Sequence, residues 1–135
     1  MKKPIDVVTA HYDAILRRDL DAILETISPD VVWEFPASPD IPFSGHYEGR
    51  GGAREFFRKI GSTVDVKEFE VESMISHGDH VIVFGHERFQ VHATGLEWAT
   101  DWVQSHMVSN GLIVRFREYA DTAAIARAYR GVAVP

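Results

Sequence analysis

The segment from Trp98 to Ala128 constrains the fold more than any other part of the chain. Two apolar-rich runs, Trp98 to Val108 and Leu112 to Tyr119, flank Ser109-Asn110-Gly111, and Asp121-Thr122 opens a run of helix formers. Asn-Gly accepts positive φ at both central turn positions, so the segment predicts a tight hairpin and then a capped helix. A strand in a sheet with one wet face sends polar residues out and apolar residues in. Here one alternate set, Trp98, Thr100, Trp102, Gln104 and His106, mixes bulky aromatics with hydrogen-bonding groups, the composition of a pocket wall.

The rest of the chain fits an α+β domain spanning 1–135. Its 135 residues, 45% apolar and 25% charged, suit one globular unit with a substantial core. A net charge of −6 with no basic stripe argues against nucleic acid. The absence of cysteine excludes disulfides, thiolate catalysis and cysteine-bound metals. The seven histidines, His11, His46, His77, His80, His86, His92 and His106, show no HisGluXaaXaaHis spacing, so no metal is expected. No signal-like apolar core follows Lys2-Lys3 and no run reaches membrane-spanning length, which predicts a cytoplasmic protein without membrane contact.

Ile5, Val8, Tyr12, Ile15 and Leu16 recur at helical spacing, predicting a helix over 4–18. Asp19 is positioned to cap a second helix that ends near Ser28, since Pro29 disfavours helical geometry before it. Residues 31–35 form a short strand. Residues 36–52, rich in proline and glycine, read as a long loop of the kind that makes lids or entrance rims. A third helix covers 54–60, and antiparallel strands follow at 65–76, 80–92, 97–108 and 112–119. Gly85, inside a strand, marks a bulge or sharp bend. Gly49-Arg50-Gly51-Gly52 lacks phosphate-loop spacing.

Four stretches then carry a resemblance: Arg18-Asp-Leu-Asp-Ala-Ile23, Asp30-Val-Val-Trp-Glu-Phe-Pro36, Gly45 through Phe57, and Asn110 through Thr122. Together with the element order they resemble the SnoaL-like branch of the nuclear transport factor 2-like (ketosteroid isomerase-like) superfamily. The resemblance implies a cone: a strongly curved antiparallel sheet with helices packed on its concave side and an apolar cavity at the wide end. It also implies a homodimer formed through the outer sheet face. Enzymes of that superfamily include ketosteroid isomerase, scytalone dehydratase, limonene epoxide hydrolase and polyketide cyclases, while other members only bind or assemble. Fold alone does not fix function here.

Residue by residue, the resemblance transfers incompletely. The isomerase base, an aspartate before a proline at the end of the first strand, matches Phe35, which cannot accept a proton. Glu34 is adjacent but points to the opposite face and reads as a surface carboxylate. The isomerase's oxyanion tyrosine matches His11, or Tyr12 with a one-residue shift, and its late-strand acid matches Gln104, which can donate a hydrogen bond but not a proton. The two epoxide hydrolase aspartates match Glu87 and Glu118. Its arginine falls on Gly85, and its water-holding Tyr and Asn fall on Trp33 and Phe35, so epoxide hydrolysis is not expected. Asp101 faces away from the pocket set, and Asp121 is a helix cap as well as a minor candidate base.

On physical grounds Glu87 and Glu118 are the candidate proton handlers. Each shares a strand face with apolar residues, Glu118 with Val114 and Phe116, and a buried carboxylate is costly unless paired or protonated. Two in one cavity would raise each other's pKa into a range useful for acid/base work. Both could instead sit at strand ends in water. Gln104, His106 and either Tyr12 or His11 would polarise an oxygen, with Trp33, Phe35, Trp98, Trp102 and Phe116 as the apolar wall. The expected function is a cofactor-free isomerase, cyclase or hydro-lyase acting on a small hydrophobic ring-bearing or polyketide-like molecule. A non-catalytic binding module and a purely structural dimer with a filled cone are the alternatives.

Overall fold

The computed structural model describes residues 2–131. Helix α1 spans Pro4–Leu16, with proline in its first turn, where the missing N–H costs nothing. Helix α2, Leu20–Glu25, is capped by Asp19, whose carboxylate accepts from the Ala22 amide at 3.1 Å. It ends three residues before the position expected from Pro29, because the chain is already extended from Ile27. Strand β1 is therefore longer than the sequence suggested, Ile27–Phe35.

The expected loop over 36–52 contains a further strand, β2, Gly45–Glu48, antiparallel to β1 with Trp33 opposite Tyr47. Helix α3 follows at once, Gly49–Thr63, longer at both ends than the expected 54–60. Gly52, which reads as loop in sequence, allows close packing between α3 and β2. A Cβ on Gly52 would lie 3.1 Å from the Tyr47 Cβ.

The four long strands are β3, Val64–His77; β4, His80–Val91; β5, Glu97–Ser109; and β6, Leu112–Ala120. Helix α4, Thr122–Arg130, closes the described chain, with Asp121 accepting from the Ala124 amide at 3.1 Å. Asn110 (φ 52°) and Gly111 (φ 78°) both take positive φ in the β5–β6 turn, as that turn type requires. The sheet order is β2-β1-β6-β5-β4-β3, and only the β1–β6 pairing is parallel.

One face of this sheet is dry. Along β4 and β5 burial alternates strictly, with Val81, Val83, Gly85, Glu87 and Phe89 inward, and Trp98, Thr100, Trp102, Gln104 and His106 inward from β5. In β6 the register shifts, His106 facing Phe116 but Val108 facing Ile113. That bulge corrects the expectation for Val114: the extra residue turns Ile113 inward in its place, while Phe116 and Glu118 keep their positions.

Gly85 lies beside a bulge, on the partner strand between Val71 and Ser73. Its lack of a side chain has a specific use, since a Cβ would sit 2.0 Å from the Trp102 ring and 2.4 Å from the Glu70 carbonyl. The Trp102 indole occupies that space, stacked between Tyr12 (centroids 6.0 Å apart) and Phe69 (5.1 Å). Among the described residues no helix is long and apolar enough to cross a membrane.

Candidate functional site

Helices α1, α2 and α3 face the inner side of β4, β5 and β6 across a cavity of about 870 Å³. Its deep wall carries Glu87, Gln104, Glu118, Trp33, Phe116 and His11. The basic residues on its lining, Arg18, Arg58 and Lys67, are exposed and form the rim. Trp33 and Phe116 stack at 3.8 Å between ring centres, making one flat apolar surface beside the polar groups.

Both carboxyls are buried, Glu87 at 4% and Glu118 at 7% exposure. Each has one neutral donor: the Trp98 indole N–H donates to Glu87 Oε2 at 2.7 Å, and the Gln104 amide donates to Glu118 Oε1 at 3.1 Å. Burial pushes the Glu87 pKa from 4.5 up to about 7, with the Trp98 hydrogen bond opposing it in part. Burial raises Glu118 well above its ordinary value, repulsion from Glu87 raises it further, and the Gln104 hydrogen bond offsets part of this. Both carboxyls are held toward their protonated forms, Glu87 with a pKa near 7 and Glu118 well above 4.5. Two carboxyls with upward-shifted pKa values thus share one wall.

Behind Gln104 lies a hydrogen-bonded chain from α1. The Tyr12 hydroxyl donates to Gln104 Oε1 and lies 2.8 Å from His106 Nε2. A phenol has a single proton, so with that proton on Gln104 the His106 Nε2–H donates to the Tyr12 oxygen. This fixes the amide so that its NH₂ faces Glu118. Burial, with Glu118 second, raises the Tyr12 pKa, and burial lowers that of His106, with His11 adding to it, so both remain neutral.

His11 is fixed by similar logic. Thr26 Oγ1 donates to the Ile23 carbonyl at 2.6 Å, so it must accept from His11 Nδ1–H at 2.9 Å. Burial lowers the His11 pKa from 6.5 to about 3, leaving a neutral ring at the cavity.

The structure places the sequence-derived residues in two groups. Glu87, Gln104, Glu118, His11, Trp33 and Phe116 line the cavity. Tyr12, Phe35, Trp98, Trp102 and His106, expected as wall or polarising residues, are buried in the core behind it. Phe35 stacks on Phe43 at 5.4 Å, and it is Phe43 that reaches the cavity. Strand alternation gives the face of a residue but not the depth of what packs over it. The sequence reading did not assign Phe43, Phe56, Phe57 and Phe69 to the wall. The apolar face of the third helix was a usable signal for Phe56 and Phe57. Phe43 sits between prolines and glycines in sequence and gives none. Among the described residues, no three His, Asp or Glu side chains converge as metal ligands.

The SnoaL-like domain model matches residues 8–116. The chain belongs to the SnoaL-like family. A nuclear transport factor 2-like protein from Burkholderia thailandensis E264 superposes with a TM-score of 0.87 at 29% identity, covering 95% of this chain and 98% of that one. TerC, co-crystallised with polyporic acid, superposes with a TM-score of 0.83 at 26% identity over 94% of this chain and 98% of TerC. A SnoaL-like polyketide cyclase from Mesorhizobium loti, 18% identical, shares the fold with a TM-score of 0.73 over 87% of this chain and 99% of its own. No curated protein matches the sequence significantly.

Proposed function

We propose that this SnoaL-like cavity binds a small ring-bearing molecule and moves protons on it without a cofactor. The observation that carries the reading is the pair of buried carboxyls on one cavity wall, both displaced upward in pKa. Glu118 acts as the general acid and Glu87 as the general base, the division that suits isomerisation, ring closure or the addition or loss of water. Gln104 orients Glu118, with Tyr12 and His106 holding the amide from behind, while His11, Trp33 and Phe116 position the ring. The likeness to TerC, a protein co-crystallised with polyporic acid, supports a small-molecule ligand here. The protein works as a homodimer through the outer sheet face, where Phe84 and Tyr119 are exposed.

A second reading, a binding module without chemistry, is favoured by Phe35: the strand-end position before Pro36 holds a fully buried ring and no base. Turnover of a panel of enolisable cyclic ketones, with and without an amine substituent, separates the two. Glu87→Gln and Glu118→Gln should each lower kcat by about 10²-fold or more. Ligand binding with no turnover by the wild type overturns the catalytic reading in favour of the binding module.

A further inference from the structure

The two carboxyls are unusual in what they lack. Each uses one oxygen to accept from a neutral donor, and the second oxygen, Glu87 Oε1 or Glu118 Oε2, has no donor among the described residues. Neither of these oxygens is among the sealed, unpartnered polar atoms of the interior, so each is reachable from the cavity its residue lines. No arginine, lysine or histidine forms an ion pair with either carboxyl among the described residues. The basic residues of the lining are at the exposed rim instead. The aromatic side chains of Trp33, Phe56, Phe69, Phe89 and Phe116 line the same cavity.

An aromatic face presents negative charge density, and so does a carboxylate. A cavity built from both, with no internal cation, is complementary to a positively charged group of modest size. We infer that the ligand of this cavity carries a cationic nitrogen on its ring or side chain, seated between the free oxygens of Glu87 and Glu118 and the surrounding aromatic faces. This rests on the reading of the cavity as a ligand site and narrows it: the molecule is an apolar amine or ammonium compound, not a neutral hydrocarbon ring. A single bound positive charge would offset the Glu87 carboxylate and ease the repulsion between the two buried acids. An anionic ligand, by contrast, is excluded from this wall.

The test uses probes whose charge does not depend on pH. Benzyltrimethylammonium and its carbon isostere, neopentylbenzene, have the same shape and differ by one positive charge. Binding of each to the full-length protein at pH 8 is followed by tryptophan fluorescence and checked by ligand-observed NMR. The expected result is a preference for the ammonium of about tenfold or more, falling to within about threefold in the Glu87→Gln/Glu118→Gln double variant. Glu87→Gln alone, an isosteric change at the carboxyl that is ionised at pH 8, serves if the double variant does not fold, and should remove a large part of the preference. Equal or tighter binding of neopentylbenzene leaves the cavity reading intact and overturns the charge inference. A preference that survives in the variants overturns it too, because the cation is then bound elsewhere. Binding of neither probe at millimolar concentration overturns both readings.

Discussion

The two faces of the sheet treat carboxylates in opposite ways. On the outer face Glu34, with 21% of its side chain exposed, meets His46 and Arg117 at 3.5 Å and Arg115 at 3.8 Å. Arg88 similarly bridges Glu97 at 2.9 Å and Glu68 at 3.5 Å. Every one of these charges has a counter-charge and nearby water. On the inner face Glu87 and Glu118 have an indole N–H and an amide N–H instead, each other's repulsion, and little solvent. An exposed ion pair contributes little because water screens it, whereas a desolvated acid without a cation changes its protonation state. The same residue type on one sheet thus gives a solvated surface outside and a poised proton inside.

The largest effect should come from the backbone that makes the inner face possible. Gly85→Ala drives a methyl into the Trp102 ring and the Glu70 carbonyl, and urea denaturation should show a loss of about 3 kcal/mol or more. A loss under about 1 kcal/mol would mean that Trp102 has room to move and that the inner wall is looser than described.

Next is the pH dependence contributed by Glu87. Its folded pKa of about 7 lies above the ordinary 4.5, so the folded state holds that proton more tightly than the unfolded chain does. The resulting stability is present in full below about pH 4.5 and is lost as pH rises through about 7. Relative to wild type, Glu87→Gln should therefore gain roughly 2–3 kcal/mol between pH 4.5 and pH 8. Comparing the two proteins at each pH cancels the contributions of His11 and His106. A difference that stays constant with pH would place Glu87 in water, like Glu34.

Tyr12→Phe removes one oxygen and leaves both Gln104 Oε1 and His106 Nε2 without their partner, at a cost of about 1–3 kcal/mol. In any turnover assay this variant should show a lower kcat with little change in KM, since Tyr12 acts through Gln104 and does not line the cavity. Glu34→Gln should change stability by less than about 1 kcal/mol and respond to salt. A large, salt-independent loss there would erase the contrast between the faces.

Much of this arrangement was legible in the sequence, for identifiable reasons. Asp19 and Asp121 announce helix starts by chemistry, and Asn110-Gly111 announces a turn by its tolerance of positive φ. Strict alternation along β4 and β5 turns Glu87 and Gln104 inward. Strand β2 and the first turn of α3 were hidden, because Gly45, Gly49, Gly51 and Gly52 look like loop in sequence, and the close approach of Gly52 to Tyr47 is set by packing. The one-residue bulge that exchanges Val114 for Ile113 is likewise silent in sequence. At the site, period-two reasoning could not tell Gln104, which reaches the cavity, from Trp102 and His106 on the same face. The helices that cover the last two are placed by tertiary packing, which no local pattern encodes.

The most direct test of a proton-holding inner wall is a ¹³C NMR titration of the glutamate carboxyl carbons, with Glu87 and Glu118 assigned by their Gln variants. The account predicts a midpoint near 7 for Glu87 and one well above 4.5 for Glu118. Midpoints for both near the ordinary 4.5 would contradict it and leave the cavity without its acid/base pair.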